Sequence, residues 1–258
     1  MKWRMDRKVY QLHGVPVDVL SWTDALGRIG TWAAAGESRS VFACNVHSIV
    51  TATQDEVHHE ALSRADMVTP DGAPVAWSLR AFTHMPQMRI DGPTLMWRLC
   101  EQAASAGTPI FLFGSTDETL AKLVARLRRE WPNLRIAGTM SPPFRAMTVQ
   151  EDEEIIRQIN ASGAKMLFVG MGCPKQEKWI DAHRGKIGCV MLGVGAAFDY
   201  HAGTIKRAPD WVRQAGMEWL FRLAAEPRRL WRRYFYTNSI FIWLSIRSVL
   251  SRWVLRRS

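Results

Sequence analysis

The stretch AKMLFVGMGCPKQEKWI, residues 164–180, carries the pattern on which the fold of this chain depends. Residues 164–170 form an apolar run, and two glycines and Pro174 then lead into a segment with helical patterning, 174–183. Apolar residues at consecutive positions predict a strand that is covered on both faces, as is typical of parallel sheets. The stretch therefore predicts one strand–turn–helix unit of an α/β protein.

Five other apolar runs repeat this unit through the first 200 residues. They are SVFACN (40–45), ADMVTP (65–70), TPIFLFG (108–114), LRIAG (134–138) and GCVMLGVG (188–195), with helical patterning over 93–106, 117–130 and 149–161. Strands that alternate with helices predict an α/β fold class, namely a Rossmann-like layered domain with a mainly parallel sheet. The opening stretch VYQLHGVPVDVL (9–20) predicts two short strands around a Gly14–Pro16 turn, at an edge of the sheet.

The charge of the chain is concentrated near its C-terminal end. Residues 201–258 hold twelve Lys and Arg against three Asp and Glu, which accounts for +9 of the net +10. The same segment contains five of the twelve tryptophans: Trp211, Trp219, Trp231, Trp243 and Trp253. Trp together with Arg is the mixture favoured at a bilayer interface, so the expected partner is an anionic membrane surface and not nucleic acid. We expect a catalytic domain over 1–205 and a basic, amphipathic helical appendage over 206–258.

The last part of this appendage is apolar but interrupted by charge. Arg247 and Arg252 break the apolar stretch between Tyr234 and Leu255, whereas a bilayer span needs ~20 nearly uncharged residues. This favours an interfacial segment, with a single span as the open alternative. The charged stretch MKWRMDRKVYQLHG (1–14) does not resemble a secretory signal, and the four scattered cysteines fit a reducing compartment. The expected location is peripheral, on the cytoplasmic face of the inner membrane.

Polar or glycine residues follow the ends of five predicted strands. They are Asn45, Asp71, Gly114 with Ser115, the loop MGCPKQE (171–177) and Asp199. Ligands bind beyond the carboxyl ends of strands in open sheets, so these residues predict a polar, concave site. Each of them taken alone could instead cap a helix or shape a turn.

The loop GMGCPKQEKW (170–179) is the most specific of these segments. Gly172 permits close backbone approach, and the helix that follows begins with free amide N–H groups suited to a pyrophosphate. Lys175 and Gln176 add donors beside that helix start. The alternative is a tight strand-to-helix turn without a ligand.

Asp71 in TPDGAPVAW (69–77) stands directly behind a strand. A carboxylate in that position can accept a proton from an attacking hydroxyl, or it can cap the helix that begins near Pro74. Further along, Arg89 in QMRIDGP can face a phosphate or pair with Asp91.

No spacing typical of a metal site or a nicotinamide cofactor is evident. His58 and His59 are adjacent in a helical stretch and do not share a face, and no DxD follows an apolar strand. GVGAAFDYHAG (193–203) lacks the third glycine of a dinucleotide fingerprint, with Phe198 in its place. We therefore expect no metal and no cofactor, with Asp199 either contacting a ribose or sugar hydroxyl or capping a helix.

Six motifs in this order resemble the WecG/TagA/CpsF family of bacterial glycosyltransferases, glycosyltransferase family 26. They are ADMVTPDGAPV, RIDGP, FLFGS, GMGCPKQEKWI, GVGAAFDYHAG and RAPDWVRQAGMEWLFRLAAEPRRLWRRY, within residues 10–237. The resemblance implies transfer of a sugar from a UDP-sugar to an undecaprenyl-diphosphate-linked sugar. It points further to a xanthan-type exopolysaccharide glucosyltransferase, with N-acetylmannosamine or its uronic acid as other donor sugars.

The resemblance also implies roles for individual residues. Asp71 corresponds to the catalytic base, and arginines of the appendage complete the active site against diphosphate: Arg222, Arg229 and Arg232 or Arg233. The expected substrate-binding residues are Asn45, Arg89, Gly114, Ser115, Gly172, Lys175, Gln176, Asp199 and Arg207. One departure is Ala43, where family members often carry Thr. A nicotinamide-dependent oxidoreductase and a non-catalytic basic adaptor for membrane or nucleic acid are the competing functions.

Overall fold

The computed structural model describes the backbone of residues 7–255 and the side chains of residues 7–228 and 230–250. Six parallel strands form the central sheet in the order β4-β3-β8-β7-β5-β6. These strands are β3 (Arg39–Cys44), β4 (Met67–Pro70), β5 (Ile110–Gly114), β6 (Ile136–Met140), β7 (Met166–Gly170) and β8 (Val190–Gly193). The predicted α/β class with a mainly parallel sheet is confirmed.

Helices connect successive strands and cover both faces of the sheet. They are α1 (Trp22–Ala35), α2 (Val46–Ala52), α3 (Glu56–Arg64), α4 (Ala73–Thr83), α5 (Gly92–Ala106), α6 (Asp117–Glu130), α7 (Val149–Ala161), α8 (Lys175–Ala182) and α9 (Ala197–Ala202). The chain alternates its apolar side chains between the faces, because Phe113 belongs to one buried layer and the adjacent Leu112 to the other. Burial on both sides explains why the strands are apolar at consecutive positions.

The first two strands lie beside β4, an edge strand of the central sheet, as expected, but they are not part of that sheet. β1 (Val9–Leu12) and β2 (Val15–Asp18) form an antiparallel sheet of their own, joined by a turn at His13 and Gly14. The Asp18 carboxylate accepts a hydrogen bond from the Val68 amide in β4 at 2.6 Å, so a side chain takes the place of a strand partner there. Arg7 neutralises Asp18 through a bidentate ion pair.

The basic C-terminal segment folds as three helices packed against the body. α10 (Asp210–Gln214), α11 (Glu218–Ala225) and α12 (Pro227–Leu255) follow one another, and Pro227 begins the last. A helix of 29 residues is about 43 Å long. Leu230, Thr237 and Phe241 are buried on one face of α12, which packs on α2. The described residues contain no helix that is both long enough and apolar enough to cross a bilayer.

Candidate active site

Asp71 lies at the carboxyl edge of the sheet, and its side chain does not cap the helix that follows. α4 begins at Ala73 and its N-cap is Gly72, which makes no side-chain cap hydrogen bond, so the alternative of an Asp71 cap is wrong. Gly72 has φ of +87°, a conformation that favours glycine. Within the described part of the chain, the Asp71 carboxylate has no hydrogen bond and no ion pair. Its oxygens remain available to a ligand.

The surroundings of Asp71 favour a proton acceptor that works near neutral pH. Its side chain retains some solvent exposure, yet burial raises the pKa to about 7, and repulsion from Asp91 adds to this effect. The nearby Arg89 acts in the opposite direction. A carboxyl group that titrates near pH 7 can be ionised and still bind a proton strongly, as general base catalysis requires.

A cluster of four charged side chains stands beside Asp71. It joins the C-terminal segment from residue 206 onward, here called the tail, to the preceding part of the chain, here called the body. Arg89 pairs with Asp91 at 3.1 Å and with Glu218 of α11 at 2.8 Å. Arg207 pairs with Asp91 and lies 3.9 Å from Glu218. Of the two possibilities for Arg89, the structure shows the pairing with Asp91. Sequence reasoning missed Glu218, although it is one of only three acidic residues between positions 201 and 258.

Two buried hydrogen-bonding groups close to this cluster have no partner. The Arg222 guanidinium of α11 lies 5.7 Å from the centre of the Tyr200 ring, and Arg207 lies 5.9 Å from the same ring. Neither the Tyr200 hydroxyl nor the Arg222 Nε has a hydrogen-bond partner among the described residues. Burial raises the pKa of Tyr200 to about 12, so the hydroxyl remains a donor. Unpaired buried donors of this kind are suited to an anionic ligand. Tyr200 follows Asp199 in FDYHAG, a motif from which sequence reasoning selected Asp199 alone.

Gln176 braces the loops that follow two neighbouring strands. The side chain is 3 % exposed, and its carbonyl oxygen accepts from the Gly195 amide at 3.0 Å and the Gly172 amide at 3.3 Å. Its amide nitrogen donates to Glu177 Oε1 at 2.8 Å. These bonds engage both ends of the side chain and position the walls of the site.

Asn45 and Asp199 also make bonds within the protein. Asn45 caps α2, accepting a hydrogen bond from the Ser48 amide at 3.1 Å, while its own amide nitrogen has no partner within the described residues. The Asp199 carboxylate in the first turn of α9 accepts from the Thr204 hydroxyl at 3.4 Å. The helix-cap alternative therefore holds for Asn45. Its side-chain nitrogen remains available to a ligand.

The residues after β5 and β7 lie further along the same edge. Gly114 has φ of +132°, and a Cβ there would lie 2.6 Å from the Gly170 backbone, so glycine permits the two strand ends to meet. Ser115 follows in a left-handed conformation, with φ of +58°. Gly172 and Lys175 flank the start of α8. β4 and β5 are four positions apart in the sheet, about 19 Å, so one extended ligand is needed to reach both ends.

The arginines of α12 are distributed unevenly with respect to the site. Arg232 is exposed and its guanidinium lies over Trp231 at 5.4 Å, whereas the side chain of Arg229 lies outside the described residues. Burial, followed by the charge of Arg233, lowers the pKa of His47 to about 4, which places Arg233 beside α2. The geometry brings Arg233, and not Arg232, toward the body.

One group of potential metal ligands occurs in the described residues, consisting of His58, Cys173 and Glu177. It lies at the β7–α8 loop and α3, and Asp71 is not a member.

The α/β fold brings the unpaired Asp71 carboxyl close to cationic and hydroxyl donors, an arrangement suited to group transfer from an anionic substrate. The sequence matches the model of the glycosyl transferase WecG/TagA/CpsF family over residues 10–254, and the chain belongs to this family. The protein is therefore a glycosyltransferase, and its family indicates surface polysaccharide synthesis with a sugar donor and a lipid-linked acceptor. This membership favours the transferase over the oxidoreductase and the non-catalytic adaptor.

Proposed function

We propose that the protein is an inverting, metal-independent hexosyltransferase that moves a sugar from a UDP-sugar to a polyprenyl-diphosphate-linked sugar. The observation that carries the proposal is the unpaired Asp71 carboxyl with a pKa of about 7. Asp71 takes the proton from the acceptor hydroxyl as this oxygen attacks the anomeric carbon, and the bond to the UDP oxygen breaks on the opposite face. Single displacement inverts the anomeric centre.

The leaving diphosphate gains negative charge as that bond breaks, so it needs donors that are already in place. Arg222 and the Tyr200 hydroxyl supply buried, unpaired donors close to Asp71. Preorganised donors of this type stabilise developing charge without a divalent cation. By the family resemblance Arg229, Arg232 and Arg233 are further candidates from α12, and of the last two Arg233 is the one that lies toward the body. Arg89 and Arg207 are held by Asp91 and Glu218, so their role is to keep α11 in position.

The length of the sheet edge supports an extended donor. Gly114, Ser115, Gly172 and Lys175 lie toward the β5 end, and Asn45 and Asp199 lie closer to Asp71 in the strand order. A nucleoside diphosphate sugar is long enough to extend along such an edge, with its sugar toward Asp71. Glucose, N-acetylmannosamine and its uronic acid are the donor sugars that we propose to test first, with a xanthan-type glucosyl transfer as the leading assignment.

Apolar side chains near Asp71 support a lipid-linked acceptor. Trp77 of α4 is 53 % exposed and packs against Gly216, next to the exposed Met217. Trp219 and Leu220 of α11 continue this exposed apolar rim. Such a surface beside a charged pocket suits a substrate with a polar head and a hydrocarbon tail.

The outer face of α12 supports docking on an anionic membrane surface. Its exposed stripe, defined as Phe235, Ile242, Ile246, Val249 and Leu250, recurs at spacings that keep it on one side of the helix. The buried face of the helix is occupied by the body, so the stripe is available to lipid. Basic residues of the same helix, such as Arg228 and Arg247, each add about 1 kcal/mol near an anionic leaflet. The proposed location is peripheral, on the cytoplasmic face of the inner membrane.

The proposal is tested by incubating the protein with short-chain prenyl-diphosphate glycolipids and a panel of UDP-sugars, without added divalent cation. The masses of the products are then measured by mass spectrometry. A single mass increase of one hexose or its N-acetyl or uronic acid form is expected, with the opposite anomeric configuration. Absence of transfer from every UDP-sugar, or transfer only with added Mg²⁺ or Mn²⁺, would contradict it.

A further inference from the structure

Three side chains capable of binding a metal meet next to the β7–α8 loop. His58 of α3, Cys173 of the loop and Glu177 of α8 each place one ligand atom within 4.8 Å of the other two. His58 and Glu177 are 0 % and 1 % exposed, and Cys173 is partly buried. The Cys173 Sγ lies 3.8 Å from His58 Nε2. The three residues come from two separate parts of the chain, so the fold alone assembles the cluster.

The cluster contains polar atoms that the protein leaves unsatisfied. Glu177 Oε2 and His58 Nδ1 have no hydrogen-bond partner within the described residues, although both are buried. Glu177 Oε1, by contrast, accepts from Gln176. A buried carboxylate oxygen without a partner is costly, and a bound cation removes this cost. The short distances between the three ligand atoms and this unsatisfied carboxylate oxygen are therefore two independent indications of a bound cation.

We propose that His58, Cys173 and Glu177 bind one Zn²⁺ ion at a structural site. Imidazole nitrogen, thiolate sulfur and carboxylate oxygen are the ligands that Zn²⁺ takes in proteins, at about 2.0–2.3 Å. The negative charges of a thiolate and a carboxylate balance the two positive charges of the ion, so the buried site is neutral.

The neighbourhood contains a candidate fourth ligand. The Ser48 hydroxyl lies 3.1 Å from His58 Nε2 and close to the thiols of both Cys44 and Cys173. Cys44, at the end of β3, is therefore a further sulfur close to the cluster. With a water in the fourth position the ion is four-coordinate and the site stays neutral, whereas a Cys44 thiolate there would complete the four ligands with one net negative charge.

The ion ties α3 to the loop whose next residues form the wall of the active site. Glu177 follows Gln176, which holds the Gly172 and Gly195 amides. Zinc thus holds Gln176 in position without contacting Asp71. The sugar transfer needs no step at the metal. The site extends beyond the proposed function and does not depend on it.

The first test measures metal on the intact wild-type protein. The protein is depleted of metal with a chelator, dialysed against Zn²⁺, and its zinc content determined by mass spectrometry. We expect one Zn²⁺ per chain. Substitution by Co²⁺ is expected to give a thiolate-to-cobalt charge-transfer band, which reports a cysteine ligand without any variant. Zinc far below one equivalent per chain together with the absence of such a band would overturn the proposal.

The second test uses matched substitutions. Cys173→Ser and Glu177→Gln are each expected to weaken zinc binding by about 100-fold or more, since even outer-shell partners change affinity by about 10–100-fold. Cys189→Ser removes a buried thiol elsewhere, and His59→Asn changes the neighbouring imidazole, so both should bind zinc as the wild type does. Equal loss in these controls, or full zinc binding in Cys173→Ser, would contradict the assignment. These readouts do not involve turnover, so they stand apart from any failure to detect sugar transfer.

Discussion

The parallel sheet and the C-terminal helices differ in how far their apolar side chains are buried. In the sheet, Phe42 and Phe168 are fully buried, and in the adjoining strand β2 the charge of Asp18 is neutralised by Arg7. In the tail, α11 has no buried residue and Phe235 of α12 is 74 % exposed. The body buries its apolar side chains, whereas the tail presents apolar surface and a partly buried arginine, Arg222, whose Nε has no hydrogen-bond partner among the described residues. This difference is the basis of the proposal that the tail binds substrate and a membrane surface.

The largest effect is expected in the body. Asp71→Asn should lower turnover by about 10²–10⁴-fold, because the acceptor hydroxyl loses its base, while UDP binding measured by calorimetry stays nearly unchanged. In the wild type, kcat/KM should rise with pH and level off above about 7, the pKa of Asp71. Asp117→Asn, at the exposed start of α6, is the control and should leave the rate intact. Wild-type turnover in Asp71→Asn would remove Asp71 as the base.

The next effect tests whether the tail supplies chemistry as well as attachment. Arg222→Gln should reduce kcat by roughly 100-fold, since a donor to the leaving diphosphate is lost. The measurement uses a soluble acceptor, so membrane docking does not contribute. Arg128→Gln on the outer side of α6 serves as the matched surface arginine. If both variants turned over at the wild-type rate, the tail would act only as an anchor.

A smaller difference separates two adjacent arginines of α12. Arg233→Gln should raise the KM for the UDP-sugar several-fold more than Arg232→Gln, because Arg233 acts on His47 beside the site whereas Arg232 covers Trp231. Steady-state kinetics of the two variants decide between them. A larger effect of Arg232→Gln would restore the role that the family resemblance implies for it.

The smallest expected effect concerns stability. The folded pKa of Asp71 is raised above its ordinary value of 3.8, so the native state holds this proton more tightly than the unfolded chain does. The contribution of Asp71 to stability is therefore greatest below pH 4 and falls as the pH rises to about 7. Asp71→Asn should abolish this fall and be about 1 kcal/mol more stable than wild type at pH 8. Denaturant unfolding at pH 5 and 8 measures it, and an unchanged pH dependence in the variant would contradict the assigned pKa.

Most of the fold followed from local patterns. The apolar runs 108–114 and 164–170 became β5 and β7 within two residues, and the helical pattern of 117–130 became α6 with the same bounds. Local periodicity fixes such elements because burial on one or both faces determines which positions are apolar. The order of the strands could not be read in this way, since β8 lies between β3 and β7 although it follows both in sequence.

The candidate site residues came from two sources in the sequence, the strand ends and, for arginines such as Arg222, the family resemblance. Asp71 was among the strand-end residues, but the same rule suggested roles for Asn45 and Gln176 that the structure shows to be partly those of a cap and a brace. Glu218 and the His58–Cys173–Glu177 cluster were missed because their partners lie far away in sequence. His58 and Cys173 are separated by 115 positions, and no short spacing reveals such a pair.

The proposal that the body carries out the transfer while the tail docks on a membrane has one direct test. The variant Ile242→Glu with Ile246→Glu places two charges on the exposed stripe, and its transfer rate is compared with that of wild type on two acceptors. With a polyprenyl-linked acceptor in anionic vesicles we expect a loss of roughly 10- to 100-fold, since each buried apolar side chain contributes about 1.5–3 kcal/mol. With a water-soluble short-chain acceptor the two rates should be equal. Equal rates on vesicles, or the same loss on both acceptors, would contradict the proposal that the stripe docks the protein on the membrane and takes no part in the transfer itself.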